Sequence, residues 1–295
     1  MWRDISDAML QLAIRRLFAI YLAVAGVALL FPYHPPLWPV LLGLHVIGVV
    51  LMLSPNMLGG FQDRFPRAAR VIGDWYLLIL VPGLYTELAV LNKSIFNGHY
   101  FDAMIMSVEQ HIFGQQPSRD LAHALPYLPL SEYLHFAYLS YYFIIYGPPI
   151  ILYLRGDRHR HQQLVFNIML AFFAHYVFFI YFPVEGPRYI FPAPGGNLAH
   201  GYFYNLAHSV LEAGSSRGAA FPSSHVGVSF AQTAFVFKVM PRFAPVLLVL
   251  ATSLAVGAVY GGFHYGTDAI CGFAFGLLLF ALAPRLALLL GKEGA

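Results

Sequence analysis

Residues 163–183 read QLVFNIMLAFFAHYVFFIYFP, a run without a single Asp, Glu, Lys or Arg. That length and apolarity match the roughly 20 residues a helix needs to cross a bilayer. Working outward, comparable runs recur at about 13–31, 38–54, 71–91, 132–154, 223–240, 243–262 and 266–290. The chain is 59% hydrophobic and 11% charged, against about 25% charged in ordinary globular proteins. It has too little polar surface to face water all round. The expectation is an all-α, polytopic membrane bundle of about eight transmembrane helices. The run at 38–54 is the shortest, and beside Phe31-Pro32-Tyr33-His34-Pro35-Pro36 it could instead form a re-entrant hairpin.

Arg3, Arg15 and Arg16 precede the first run, but no small-x-small cleavage site comes before Phe31-Pro32, so the segment reads as a retained span. With eight spans, 13 of the 17 basic residues fall on one side, and only Lys93, Arg119, Arg188 and Arg217 on the other. The positive-inside rule then makes the first side cytoplasmic and puts both termini there. That distribution also explains the net charge of +3 without nucleic acid. The lone cysteine, Cys271, permits neither an internal disulfide nor thiolate metal binding.

Two extracytoplasmic segments are long enough to carry structure, at about 92–131 and 184–222. In the first, apolar residues at 101, 104, 105 and 108 have the spacing of a helix lying on an interface. The second contains a possible short helix at about 198–212. Together they predict an extracytoplasmic interfacial helical cap over one membrane domain.

The chemistry concentrates at the ends of the later spans. In Phe221-Pro222-Ser223-Ser224-His225, proline favours a helix's first turn, and the free N–H groups there, with two hydroxyls, suit a phosphate. His225 could protonate a departing oxygen. Four residues separate His264 from Asp268 in Gly261-Gly262-Phe263-His264-Tyr265-Gly266-Thr267-Asp268. On a helical turn the carboxylate would fix the imidazole tautomer and leave the other nitrogen free to attack. Alternation of the spans puts Pro187-Arg188 on the same face as both segments. The guanidinium of Arg188 suits phosphate oxygens, and Arg217 is the next candidate.

Pro187-Arg188, Pro222-Ser223-Ser224-His225 and His264-x-x-x-Asp268 resemble the three signature motifs of the type 2 phosphatidic acid phosphatase superfamily. Phe113-Gly114-x-x-Pro117, Phe221 to His225 and His264-Tyr265-x-x-Asp268 look most like its branch containing inositol phosphorylceramide synthase. The resemblance covers roughly 95–280 and implies a six-helix phosphatase-type core. The chain then divides into a transmembrane hairpin at 1–60 and a catalytic domain at 61–295, with motifs at 183–188, 221–225 and 260–268. It also implies a mechanism without metal or other cofactor. His264 would attack phosphorus, Asp268 would stabilise the resulting cation, and His225 would protonate the leaving alcohol and then activate water or a second alcohol. Arg188, Ser223 and Ser224 would hold the non-bridging oxygens. The sequence departs from the pattern at two cationic places. Tyr181 stands for the lysine of the first motif, and Gly257-Ala258 for the Ser-Arg opening the third. Fewer cations favour a phosphodiester, and so transfer over hydrolysis.

The partners implied are a phosphorylated lipid, an alcohol acceptor and the membrane lipids. Asp102 and His111 are weaker headgroup candidates, since with Glu109 they equally suit a solvated helix face. His45, His135 and His175 lie within spans, where pairing across helices is the ordinary role. Ser229 lacks the second glycine of a nucleophile elbow, and no His-Glu-x-x-His spacing suggests zinc. The rival readings are a simple lipid phosphate monoesterase and, from another class, a transporter using membrane histidines as a proton path.

Overall fold

A computed structural model describes residues 2–54 and 59–292, and among these the architecture is all-helical. In chain order the helices are α1 (Asp7–Ala28), α2 (Trp38–Leu53), α3 (Gly59–Arg64), α4 (Pro66–Phe96), α5 (Asp102–Phe113), α6 (Pro117–Ala124) and α7 (Leu128–Leu139). There follow α8 (Tyr141–Leu154), α9 (Arg158–Tyr181), α10 (Tyr202–Gly214), α11 (Ser224–Val239), α12 (Ala244–Tyr260) and α13 (Gly266–Gly291).

Four of these, α1, α4, α9 and α13, are long and apolar enough to cross a membrane. A fifth is added if α7 and α8 form one span, bent by 42° at Ser140. There the Ser140 hydroxyl donates back to the Ala137 carbonyl at 2.6 Å, a bond that competes with the helix ladder. The eight expected segments are all helical, but α2, α11 and α12 have 16, 16 and 17 residues, short of a full crossing of about 20. An apolar run in sequence continues through the turn that ends a helix, so it overstates helix length. A helix does form near 100–109, as α5, and the short one near 198–212 is α10 with a 3₁₀ turn at Gly196–His200.

Helix α9 is the axis of the bundle. It is buried along most of its length and packs against α1, α4, α8, α11 and α13. Rings lock α1 to it, with Tyr21 stacked on Phe173 at 4.5 Å between centroids. By contrast α2 buries only His45 and Met52, and turns Leu44, Ile47 and Val50 outward. An apolar outer face of this kind suits lipid. The first helix does not stand apart from the later ones. Arg16 donates to the Leu290 and Lys292 carbonyls at 2.9 and 2.7 Å, closing the C-terminus of α13. Arg15 likewise caps α2 through the carbonyls of Met52 (2.9 Å) and Ser54. Both arginines, counted in the sequence as markers of topology, satisfy carbonyls that a helix end leaves unpaired.

The pair that positions the candidate site is α11 with α13. Gly276 lies so close to the Gly227 carbonyl that a Cβ on residue 276 would collide with it. This contact draws the start of α13 against the start of α11, where the Ser223 N–H donates to the Asp268 carbonyl at 3.0 Å.

Candidate active site

Ser223 is the N-cap of α11, its hydroxyl accepting the Val226 N–H at 3.4 Å. Pro222 therefore precedes the cap rather than occupying the first turn, a correction of two residues to the expectation. The helix start leaves the N–H groups of Ser224 and His225 without helical acceptors, as an anion site requires. Ser224 is buried beside them, and its hydroxyl has no hydrogen bond among the described residues.

His225 and His264 meet here. His264 Nε2 lies 3.4 Å from His225 Nδ1. On its other side, His264 Nδ1 faces the Ala220 carbonyl at 3.1 Å and Asp268 Oδ2 at 3.5 Å. Two acceptors at Nδ1 assign the proton to that nitrogen, so Nε2 carries the lone pair. His225 Nδ1 must then be the donor toward it, and His225 Nε2 accepts from the Tyr138 hydroxyl at 3.4 Å. Asp268 is fully buried, and its Oδ2 also accepts the Tyr265 N–H at 2.9 Å. The His264–Asp268 contact is thus made across the N-terminus of α13 rather than along a helix face.

A stitched loop supports this pair. Asp102 Oδ1 and Oδ2 accept the Gly186 and Glu185 N–H groups, each at 2.9 Å, and Oδ1 also accepts the Tyr265 hydroxyl at 3.0 Å. Val184 bonds to Gly218 and Ala220 through a single parallel bridge. Gly186, with φ of 95°, packs where a Cβ would lie 3.0 Å from that of Ala220, so a larger residue there meets both strain and contact. The Ala220 carbonyl that holds His264 is fixed by these bonds.

Arg188 follows directly. Its Nη1 is buried without a partner among the described residues, and its guanidinium lies 5.1 Å over the Tyr189 ring. A buried guanidinium nitrogen lacking an acceptor is costly unless an anion reaches it. Arg217 has an acceptor already, since it pairs with Glu185 and lies over Tyr100 and Tyr189. Asp102 is buried with both oxygens engaged, so the structure makes it a brace for the loop instead of a headgroup ligand. His111 is exposed, with Nδ1 on the Ser107 carbonyl at 2.7 Å. Glu109 is not on a solvated face either. It is fully buried and accepts the Thr267 N–H at 2.9 Å, and burial pushes its carboxyl pKa up.

Sequence reasoning missed Tyr138 and Tyr141, whose rings lie 5.1 and 4.4 Å from that of His225. Their spacing of three within a tyrosine-rich run was the available signal. It also missed the purpose of the two departures. The Tyr181 hydroxyl donates to the Val24 carbonyl at 2.7 Å, turning toward α1, and the Ala258 carbonyl accepts the N–H groups of Phe263 (2.9 Å) and His264 (3.0 Å).

A family model described as the PAP2 superfamily matches residues 105–282, from α5 into α13, and so includes Arg188, Ser223, Ser224, His225, His264 and Asp268. Over 160 residues the chain is 28% identical to a PA-phosphatase related-family protein of Dictyostelium discoideum. That match covers 47% of this chain and 29% of the relative, less than a third of its length. No solved structure matches the chain.

Proposed function

The chain belongs to the PAP2 superfamily, whose membership suggests a lipid-phosphatase type of function, and on that premise we propose an integral membrane enzyme that cleaves a lipid phosphate ester through a phosphohistidine. The observation that carries this reading is the contact between His264 Nε2 and His225 Nδ1, with the opposite nitrogen of His264 on Ala220 and Asp268. The His264 lone pair attacks phosphorus, and the bond from phosphorus to the leaving oxygen breaks. His225, holding a second proton at Nε2 in the substrate complex, gives its Nδ1 proton to that oxygen and is left as the neutral imidazole. In the second step water or an alcohol attacks, its proton passes to His225, and the phosphorus–nitrogen bond breaks. In-line attack needs phosphorus between the imidazoles, so substrate entry separates the 3.4 Å pair.

Asp268 offsets the charge that develops on His264. Arg188 and the N–H groups opening α11 hold the non-bridging oxygens. With Arg217 paired to Glu185, fewer free cations face the phosphate than two open arginines would supply, which favours a phosphodiester of lower charge. The finer reading is therefore transfer of a phosphorylated headgroup to an alcohol, as in the inositol phosphorylceramide synthase-like branch. In this proposal the chain makes eight passes, with both termini cytoplasmic and the site extracytoplasmic.

The test is purified protein on a panel of phospholipids in chelator, with and without alcohol acceptors. Headgroup release or a new phosphodiester, both lost in His264→Ala, is the expected result. A wild-type protein inert on the whole panel contradicts the proposal.

A further inference from the structure

At the end of the bundle opposite His225 and His264, where α1, α4 and α9 begin, lies a cavity of about 460 Å³. The 24 residues of α9 separate the two ends by roughly 36 Å at about 1.5 Å per residue. The lining brings together Arg15, Arg70 and Arg158 with Gln11, Gln62 and Gln162. Its one carboxylate, Asp74, is buried and already engaged. Arg158 forks onto it at 2.7–3.0 Å, and Gln162 Nε2 donates to it at 3.1 Å. Arg15 is bonded to the carbonyls that end α2 and has no carboxylate partner among the described residues. Arg70 is exposed and has no ion pair or hydrogen bond among the described residues. Three guanidiniums thus face one carboxylate.

Because Asp74 can only accept, the amide of Gln162 must offer it Nε2, and Oε1 is left over. That oxygen is buried without a partner among the described residues, and Gln162 is only 3% exposed. An acceptor without a partner among the described residues, in a lining with three guanidiniums to one carboxylate, suits a ligand that is anionic and also donates a hydroxyl. The walls add a third demand. Ile14, Ile72 and Val165 line the same cavity, and Ile72 continues onto the apolar outer face of α4.

We propose that this cavity binds an anionic phospholipid with a hydroxylated headgroup, its phosphate on Arg15, Arg70 and Arg158, a headgroup hydroxyl on Gln162 and an acyl chain along Ile72. Basic pockets between membrane helices are suited to such headgroups. The site is independent of the phosphate chemistry proposed for the other end.

The experiment is native mass spectrometry of the full-length protein in detergent, titrated with phosphatidylglycerol, phosphatidylcholine or glycerol 3-phosphate. Phosphatidylglycerol should bind at least tenfold more tightly than phosphatidylcholine. Arg70→Gln, which breaks no hydrogen bond or ion pair among the described residues, should weaken it roughly tenfold, the value of one charge-assisted contact. Ile72→Trp should weaken it as well, and His264→Ala should leave it unchanged. Equal binding of phosphatidylcholine, or an Arg70→Gln variant that binds like wild type, overturns the proposal. Glycerol 3-phosphate binding as tightly as the lipid overturns the lipid as occupant.

Discussion

For His264, the nucleophile of the proposed mechanism, the structure shows which partner faces each ring nitrogen. A carbonyl and a carboxylate fix its proton on Nδ1, and a second imidazole faces the lone pair on Nε2. If Asp268 holds the tautomer and stabilises the developing cation, Asp268→Asn should lower turnover on the order of 10³-fold, by analogy with other His–Asp pairs, while leaving lipid affinity nearly unchanged. Single-turnover rates alongside binding measurements check this. Tyr138→Phe removes one long hydrogen bond to His225, and the expected loss is under about tenfold. At this scale the sequence was informative where spacing and residue type coincide, as in His225, His264 and Asp268. It offered Asp102 only as a headgroup candidate, because nothing local says that an acid at the start of α5 will meet the backbone of residues 185 and 186. Nor could it tell that Arg217 would be met by Glu185 while Arg188 keeps a buried nitrogen without an acceptor among the described residues.

Among the elements, the start of α13 is held at the start of α11 by close backbone approach. Gly276→Leu should force the two helices apart at a cost of about 1–3 kcal/mol and reduce activity without touching the site directly. Thermal unfolding in detergent, paired with an activity assay, separates this from Arg16→Ala. The latter loses only the cap of α13, about 0.3–1 kcal/mol, and should retain activity. Helix existence was legible from apolar runs, and so were the short helices at 102–113 and 202–214. Helix ends were less so. The break at Ser140 depends on one hydroxyl choosing a backbone carbonyl, and the apolar runs gave no sign of it.

For the whole molecule, composition alone indicated a membrane bundle, whereas the number of crossings depends on how α2, α11 and α12 sit in the bilayer. Acid sensitivity is a property of the assembled bundle as well. His208 on α10 has its pKa lowered to about 4, first by burial, then by the charges of His135 and Arg188. Unfolded, it titrates near its ordinary value of about 6.5. Between those values the unfolded chain takes up a proton that the folded chain refuses. Stability therefore falls as pH drops from about 6.5 and levels off near 4. His208→Asn should flatten that part of the profile in thermal scans between pH 4.5 and 7.

The most direct measurement is acid-quench-free trapping of wild-type protein with a lipid labelled at phosphorus, followed by peptide mapping under alkaline conditions that preserve phosphoramidates. The account predicts label on His264, absent in His264→Ala and accumulating when His225 is replaced by glutamine and an activated leaving group is supplied. Label on another residue, or turnover that persists in His264→Ala, would contradict it.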